Sequence, residues 1–189
     1  MAEDRRGLKP SRAVYPNTVA LTHQRGRLAD KLRAAAVAER RARADEMGDA
    51  CRWALERLVR AAERANVMLA VPVGATPWHL PTPREARLLA DAFAGAPVGL
   101  VWDPGRLSVL AALGLAVSDD RLRALAEAAV LVMENDAVGI EAGFLPGLGE
   151  RDVRVAAQAA PVSVPRIVTG RPDSSDGEVA AAIGASRSG

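Results

Sequence analysis

Five short apolar runs constrain this chain more than anything else in it: TVALTH (18–23), NVMLAVPVG (66–74), VGLVWD (98–103), AVLVMEND (129–136) and RIVTG (166–170). They are rich in Val and Leu and do not alternate apolar with polar residues. A strand covered on both faces reads this way, whereas a strand with one wet face alternates. The order along the chain is strand, helix, strand, helix, strand, helix, strand, loop, strand, helix. It predicts an α/β fold, a parallel sheet of about five strands under outer helices, joined by right-handed crossovers. The runs alone leave open whether the sheet is doubly wound or part of a barrel.

The helical segments carry their own signals. From 28 to 65, Leu28, Leu32 and Ala36 recur every four residues, and Cys51, Leu55, Leu58 and Ala62 form a second stripe. Gly48 lies between the stripes and marks a break or a kink. Arg and Glu at three- and four-residue spacing suit a solvated helix face; the sharper reading makes Arg40, Arg41 and Arg43 a phosphate- or RNA-binding patch. In LPTPREARLLADAFAG, Thr82 is a candidate N-cap, Pro83 fits the first helical position and Glu85 completes a capping box. Gly95 closes that helix. RLSVLAALGL, SDDRLRALAEA (capped by Ser118) and SSDGEVAAAIGAS are further helices, and GFLPGLGERD is a Gly/Pro loop. Leu55, Leu58, Val101 and Leu131 are the expected core.

Only 3% of the 189 residues are aromatic, so the core is built from Ala, Val and Leu. The sequence pI of about 9.2 accompanies a net charge of only +2, with Arg abundant and Lys scarce. A composition rich in Arg, Ala, Gly and Pro has that bias without any nucleic-acid partner, so the pI is no evidence for one and none is expected. One cysteine, Cys51, excludes an intrachain disulfide, suits a reducing compartment and reads as a small buried hydrophobe. The N-terminal residues carry no apolar core of a secretory signal, and no run reaches the roughly 18 apolar residues of a membrane span. The expectation is a cytoplasmic protein without membrane contact: a loose arm over 1–17 and a single domain over 18–189.

Few side chains offer chemistry. His23 ends the first run, and His79 lies in TPWHLPTP, expected to pack on Trp78. Glu134, Asn135 and Asp136 cluster at a strand end, where two carboxylates are candidates for general acid/base work. Asp103 ends VGLVWD and precedes Pro-Gly and Arg106. PGLG lacks the spacing and the Lys of a phosphate loop, and GAPVG precedes a strand where a dinucleotide fingerprint follows one.

The stretches ALERLVRAAERANVMLAV, PVGATPWHLPTPREARLLADAF, APVGLVWDPGR, VLVMEND and LPGLGERD, in this order and spacing, resemble the sugar phosphate isomerase/epimerase family of xylose-isomerase-like TIM barrels. The resemblance runs from about Val19 to the C-terminus. It implies a partial barrel, from about the fourth strand to the eighth, because a complete barrel takes about 250 residues.

The resemblance also implies a divalent metal, such as Zn or Mn, at the C-terminal strand ends, held by carboxylates and histidines. Residue by residue the match fails. Pro72 stands where the family has a Glu. Asp103 and Arg106 stand for Asp-x-x-His. Met133 replaces a His, and Thr169 and Gly170 stand near an expected Glu. Arg106 is cationic and cannot ligate a metal. Asp103 then reads as a relic ligand in a surface or loop ion pair, and the expected metal and cofactor complement is none. The implied function is a non-catalytic, degenerate isomerase-like subunit for binding or assembly, a homo-oligomer or one completed by a protein partner. The alternative is a working metal-dependent isomerase or epimerase, with His23, Asp103, Glu134 and Asp136 as weak catalytic candidates.

Overall fold

The computed structural model describes residues 26–74, 79, 81–114, 119–149 and 156–187. The run 18–23 with His23, the arm over 1–17, Trp78 and the cap at Ser118 lie outside them. Two long helices come first, α1 (Arg27–Ala42) and α2 (Ala44–Ala65). The break between them falls at Arg43 and not at Gly48, which sits inside α2. α2 ends on Asn66, which takes a left-handed backbone (φ 52) and donates its N–H to the Ala62 and Glu63 carbonyls.

Then strand and helix alternate: β1 (Leu69–Pro72), α3 (Pro83–Ala92), β2 (Val98–Trp102), α4 (Pro104–Ala112), α5 (Asp119–Glu127) and β3 (Ala129–Glu134). A hairpin follows, β4 (Asp136–Val138) and β5 (Glu141–Phe144), and the chain closes with β6 (Arg166–Val168) and α6 (Asp176–Arg187). The capping box on α3 is formed: the Glu85 N–H donates to Thr82 Oγ1 and the Thr82 N–H donates to the Glu85 carboxylate.

β1, β2, β3 and β6 form one parallel sheet in that spatial order. Four of the five expected strands are therefore in place, each beside its sequence neighbour. β4 and β5 pair antiparallel as a separate two-stranded sheet, so the region expected to be only a loop contributes a strand.

The main core lies on one sheet face. Leu100 and Trp102 of β2 and Ala129 and Val132 of β3 meet Ala86 of α3, Leu107 and Leu110 of α4, and Leu125 and Ala126 of α5. The Trp102 indole N–H donates to the Ala156 carbonyl at 2.8 Å, so its one polar atom is satisfied. Register places Pro72, Val101, Leu131, Met133 and Ile167 on the opposite face. There Val101 is buried, Leu131 and Met133 are half-buried, and Pro72 and Ile167 are exposed. Leu131 is thus less enclosed than expected.

Leu58 is a clear correction. Leu55, Val59 and Ala62 are buried, but Leu58 keeps 53% of its surface exposed. One helix face carries positions 55, 59 and 62, and position 58 falls at its margin. No helix among the described residues is long and apolar enough to cross a membrane.

Candidate functional site

The polar residues gather where β2 and β3 end. Asp103 leaves β2 and caps α4: its Oδ1 accepts the Arg106 N–H at 2.9 Å, and Pro104 takes the first helical position. The same oxygen accepts from the Asn135 side-chain amide at 2.9 Å. The expected ion pair with Arg106 is present, but Asp103 has no exposed surface, so the pair is buried on the carboxylate side and does not lie at the surface. An Asp followed by Pro at a strand end is a helix start, and the cap draws the carboxylate inward under the first turn. Oδ2 lies 3.2 Å from Arg106 Nε as an ion pair, but without hydrogen-bond alignment. Burial pushes the Asp103 carboxyl above the ordinary carboxylate range, while the Arg106 N–H, the Arg106 charge and the Asn135 amide pull it back.

Asn135 ties this corner to the hairpin. Its Oδ1 accepts the Gly143 N–H at 3.3 Å. Gly105 has to be glycine here, because a Cβ would stand 2.2 Å from Asn135 Oδ1 and 2.6 Å from its carbonyl oxygen.

Glu134 and Asp136 are neighbours in sequence with separate tasks. Glu134 accepts from Arg166 Nη1 at 2.9 Å and from the Ser186 hydroxyl, so one buried carboxylate holds β6 and α6 to β3. Asp136 accepts its neighbour's N–H, Ala137, at 2.8 Å, and those of Gly147 and Gly149 at 3.1 and 3.0 Å. It holds the PGLG turn in place. The two acids are not brought to a common point as an acid/base pair, since each is engaged with different partners.

Arg106 reaches from Asp103 toward β1 and donates to the Val73 carbonyl at 3.4 Å. His79 stands near it, exposed overall. Desolvation and then the Arg106 charge hold its imidazole below the usual histidine value.

Two residues of the helical region depart from their sequence reading. Arg40 is buried and pairs with both carboxylate oxygens of Glu85, so it belongs neither to a solvated face nor to a phosphate patch. Cys51 is half-buried, and burial and the Glu85 charge raise its thiol pKa against the opposing Arg40 charge. That favours the unreactive thiol.

The metal implied by the resemblance does not fit these residues. Among the described residues no group of three or more His, Cys, Asp or Glu could hold an ion. Near Asp103 Oδ2, where an ion would need further donors, stands the Arg106 guanidinium. Comparison with protein-family models, curated proteins and solved structures finds no match.

Proposed function

We propose that this chain is a non-catalytic, sugar phosphate isomerase-like protein, a degenerate partial barrel of the cytoplasm that acts as a binding or assembly subunit. The observation that carries this reading is the inward engagement of the three strand-end acids. Asp103 caps α4 and holds Asn135, Glu134 holds Arg166 and Ser186, and Asp136 holds the Gly147–Gly149 turn. Acid/base chemistry needs a carboxylate that meets the substrate. These three are spent on the fold.

The assembly part is supported by the sheet. β1 and β6 are its edges among the described residues, and Pro72 and Ile167 are exposed on one face. Open edges and apolar faces pair with other chains. The expected partner is a second copy or another protein that extends the sheet and buries more than about 1,000 Å².

Light scattering over a dilution series, with elemental analysis of the same sample, tests the reading. The expected result is an oligomer or a stable complex without stoichiometric metal. A monomer that stays folded on dilution overturns the assembly role. About one Zn or Mn per chain, lost in Asp103→Ala, would favour the alternative, a divalent-metal-dependent isomerase or epimerase completed by another chain. The feature on that side is Asp103 Oδ2, which is buried and makes no hydrogen bond.

A further inference from the structure

The end of β2 delivers a guanidinium to the C-terminal edge of the sheet with its inner side fixed. Arg106 Nε faces Asp103 Oδ2 at 3.2 Å and Nη1 donates to the Val73 carbonyl at 3.4 Å, so the plane of the fork is set from two directions. The side chain keeps 32% of its surface exposed. His79 comes from the preceding strand-end loop. Its backbone is pressed against Gly74, where a Cβ would stand 2.6 Å from His79 Cβ, and the Gly74 N–H donates to the Pro81 carbonyl at 2.8 Å. His79 therefore stands against Gly74, the residue next to the Val73 carbonyl that Arg106 reaches.

A braced, planar fork with one free side recognises the paired oxygens of a carboxylate or phosphate better than a flexible ammonium does. The buried Asp103 balances the guanidinium charge. Selection at this point therefore works through hydrogen-bond geometry more than through a long-range field.

We propose that Arg106 and His79 bind a small oxyanion, the carboxylate or phosphate group of a small molecule, between the ends of β1 and β2. The inference rests on the non-catalytic binding role proposed above and supplies its ligand class. The guanidinium provides a fixed positive charge without a metal, and the imidazole adds a second donor from the neighbouring loop.

The test uses the full chain at fixed pH and ionic strength, before and after dialysis against a chelator. Inorganic phosphate is titrated in one arm and acetate in the other. The readout is the His79 imidazole proton resonance, identified by its loss in His79→Gln. The expected result is a saturable shift with at least one anion, the arm that saturates naming the group, and unchanged after chelation. Arg106→Gln should weaken binding by about tenfold or more, the loss of a charge-assisted bidentate contact. Arg87→Gln, at an exposed α3 arginine paired with Asp91, should leave it unchanged. If Arg106→Gln does not fold, Arg106→Lys keeps a cation opposite Asp103 and is still expected to bind more weakly. An unsaturating response in both arms, or Arg106→Lys binding as well as the wild type, overturns this inference and leaves the non-catalytic reading intact. Binding that is lost on chelation and restored by Zn or Mn overturns both.

Discussion

The long helices and the β2–α4–β3 unit have opposite relations to the interior. Over α1 the buried residues are Ala29 and Arg40, and over the 22 residues of α2 they are Leu55, Val59 and Ala62. Leu28, Trp53 and Leu58 face solvent. These helices are supported by local pairs such as Arg43–Glu46 and Arg52–Asp49, and by the Trp53–Arg57 cation–π contact. Such pairs contribute a few tenths of a kcal/mol each. The β2–α4–β3 unit is enclosed instead: Leu100 through Gly105 form an unbroken buried run, and Val109 and Leu110 are almost completely covered. One region is helical because its own residues favour it. The other holds its shape because burial and a satisfied polar corner leave few alternatives.

The largest expected effect lies in the enclosed unit. Leu110→Ala should lower the unfolding free energy by about 2–5 kcal/mol in a urea titration, the range for opening a cavity in a packed core. A loss below about 0.5 kcal/mol would place α4 in the same class as α1 and erase the contrast.

The polar corner should come next. Asp103→Ala removes the α4 cap and leaves the Asn135 amide only its long bond to the Met133 carbonyl, at a cost of about 1–3 kcal/mol. The pH dependence sharpens the test. Burial raises this carboxyl above its unfolded value, so the folded state holds the proton more tightly. Its contribution is fully present below the unfolded pKa of about 3.9 and is lost as pH rises through the higher folded value. Subtracting the Asp103→Asn stability profile from that of the wild type should isolate this decline. A difference curve that rises over that window would contradict the burial of the carboxylate.

Leu58→Ala should change stability least, by no more than about 0.5 kcal/mol, as an exposed substitution on a helix does. A loss of 2 kcal/mol or more would show that this face of α2 is covered by something beyond the described residues.

Strands β1, β2, β3 and β6 were legible because each is a short continuous apolar run, although β1 and β6 keep residues exposed, and α3 because Thr82, Pro83 and Glu85 write out a helix start. The hairpin was not read. β4 is three residues long and contains no alternation, and its first residue, Asp136, was read as the end of the preceding strand. The missed signal is Gly139 between Val138 and Ile140. It takes a positive φ of 57 at the first of two turn positions, where type II′ hairpins place glycine. At the candidate site, the strand-end position of Asp103 and its closeness to Arg106 were legible. Its burial was not, because that depends on Asn135 arriving from β3, 32 residues later. The helix was read from Arg106, yet an Asp followed by Pro is how a helix begins, and it starts at Pro104. Arg40 was unreadable for the same reason as Asp103: its partner Glu85 is remote in sequence.

α2 is anchored near both ends. The Arg40–Glu85 pair fixes the chain just before it, and Leu55, Val59 and Ala62 seat its second half, while none of its residues before Leu55 is buried. A helix advances about 100° per residue. The exposed stretch between the anchors therefore sets the rotational phase at which the second half meets the protein. Substitutions there are tolerated easily, but insertions are not equivalent to one another. One added residue turns Leu55, Val59 and Ala62 away by about 100°, whereas seven restore their rotation to within about 20° but shift them by about 10 Å along the axis. A stretch of α2 with no buried side chain is thus one whose length is constrained.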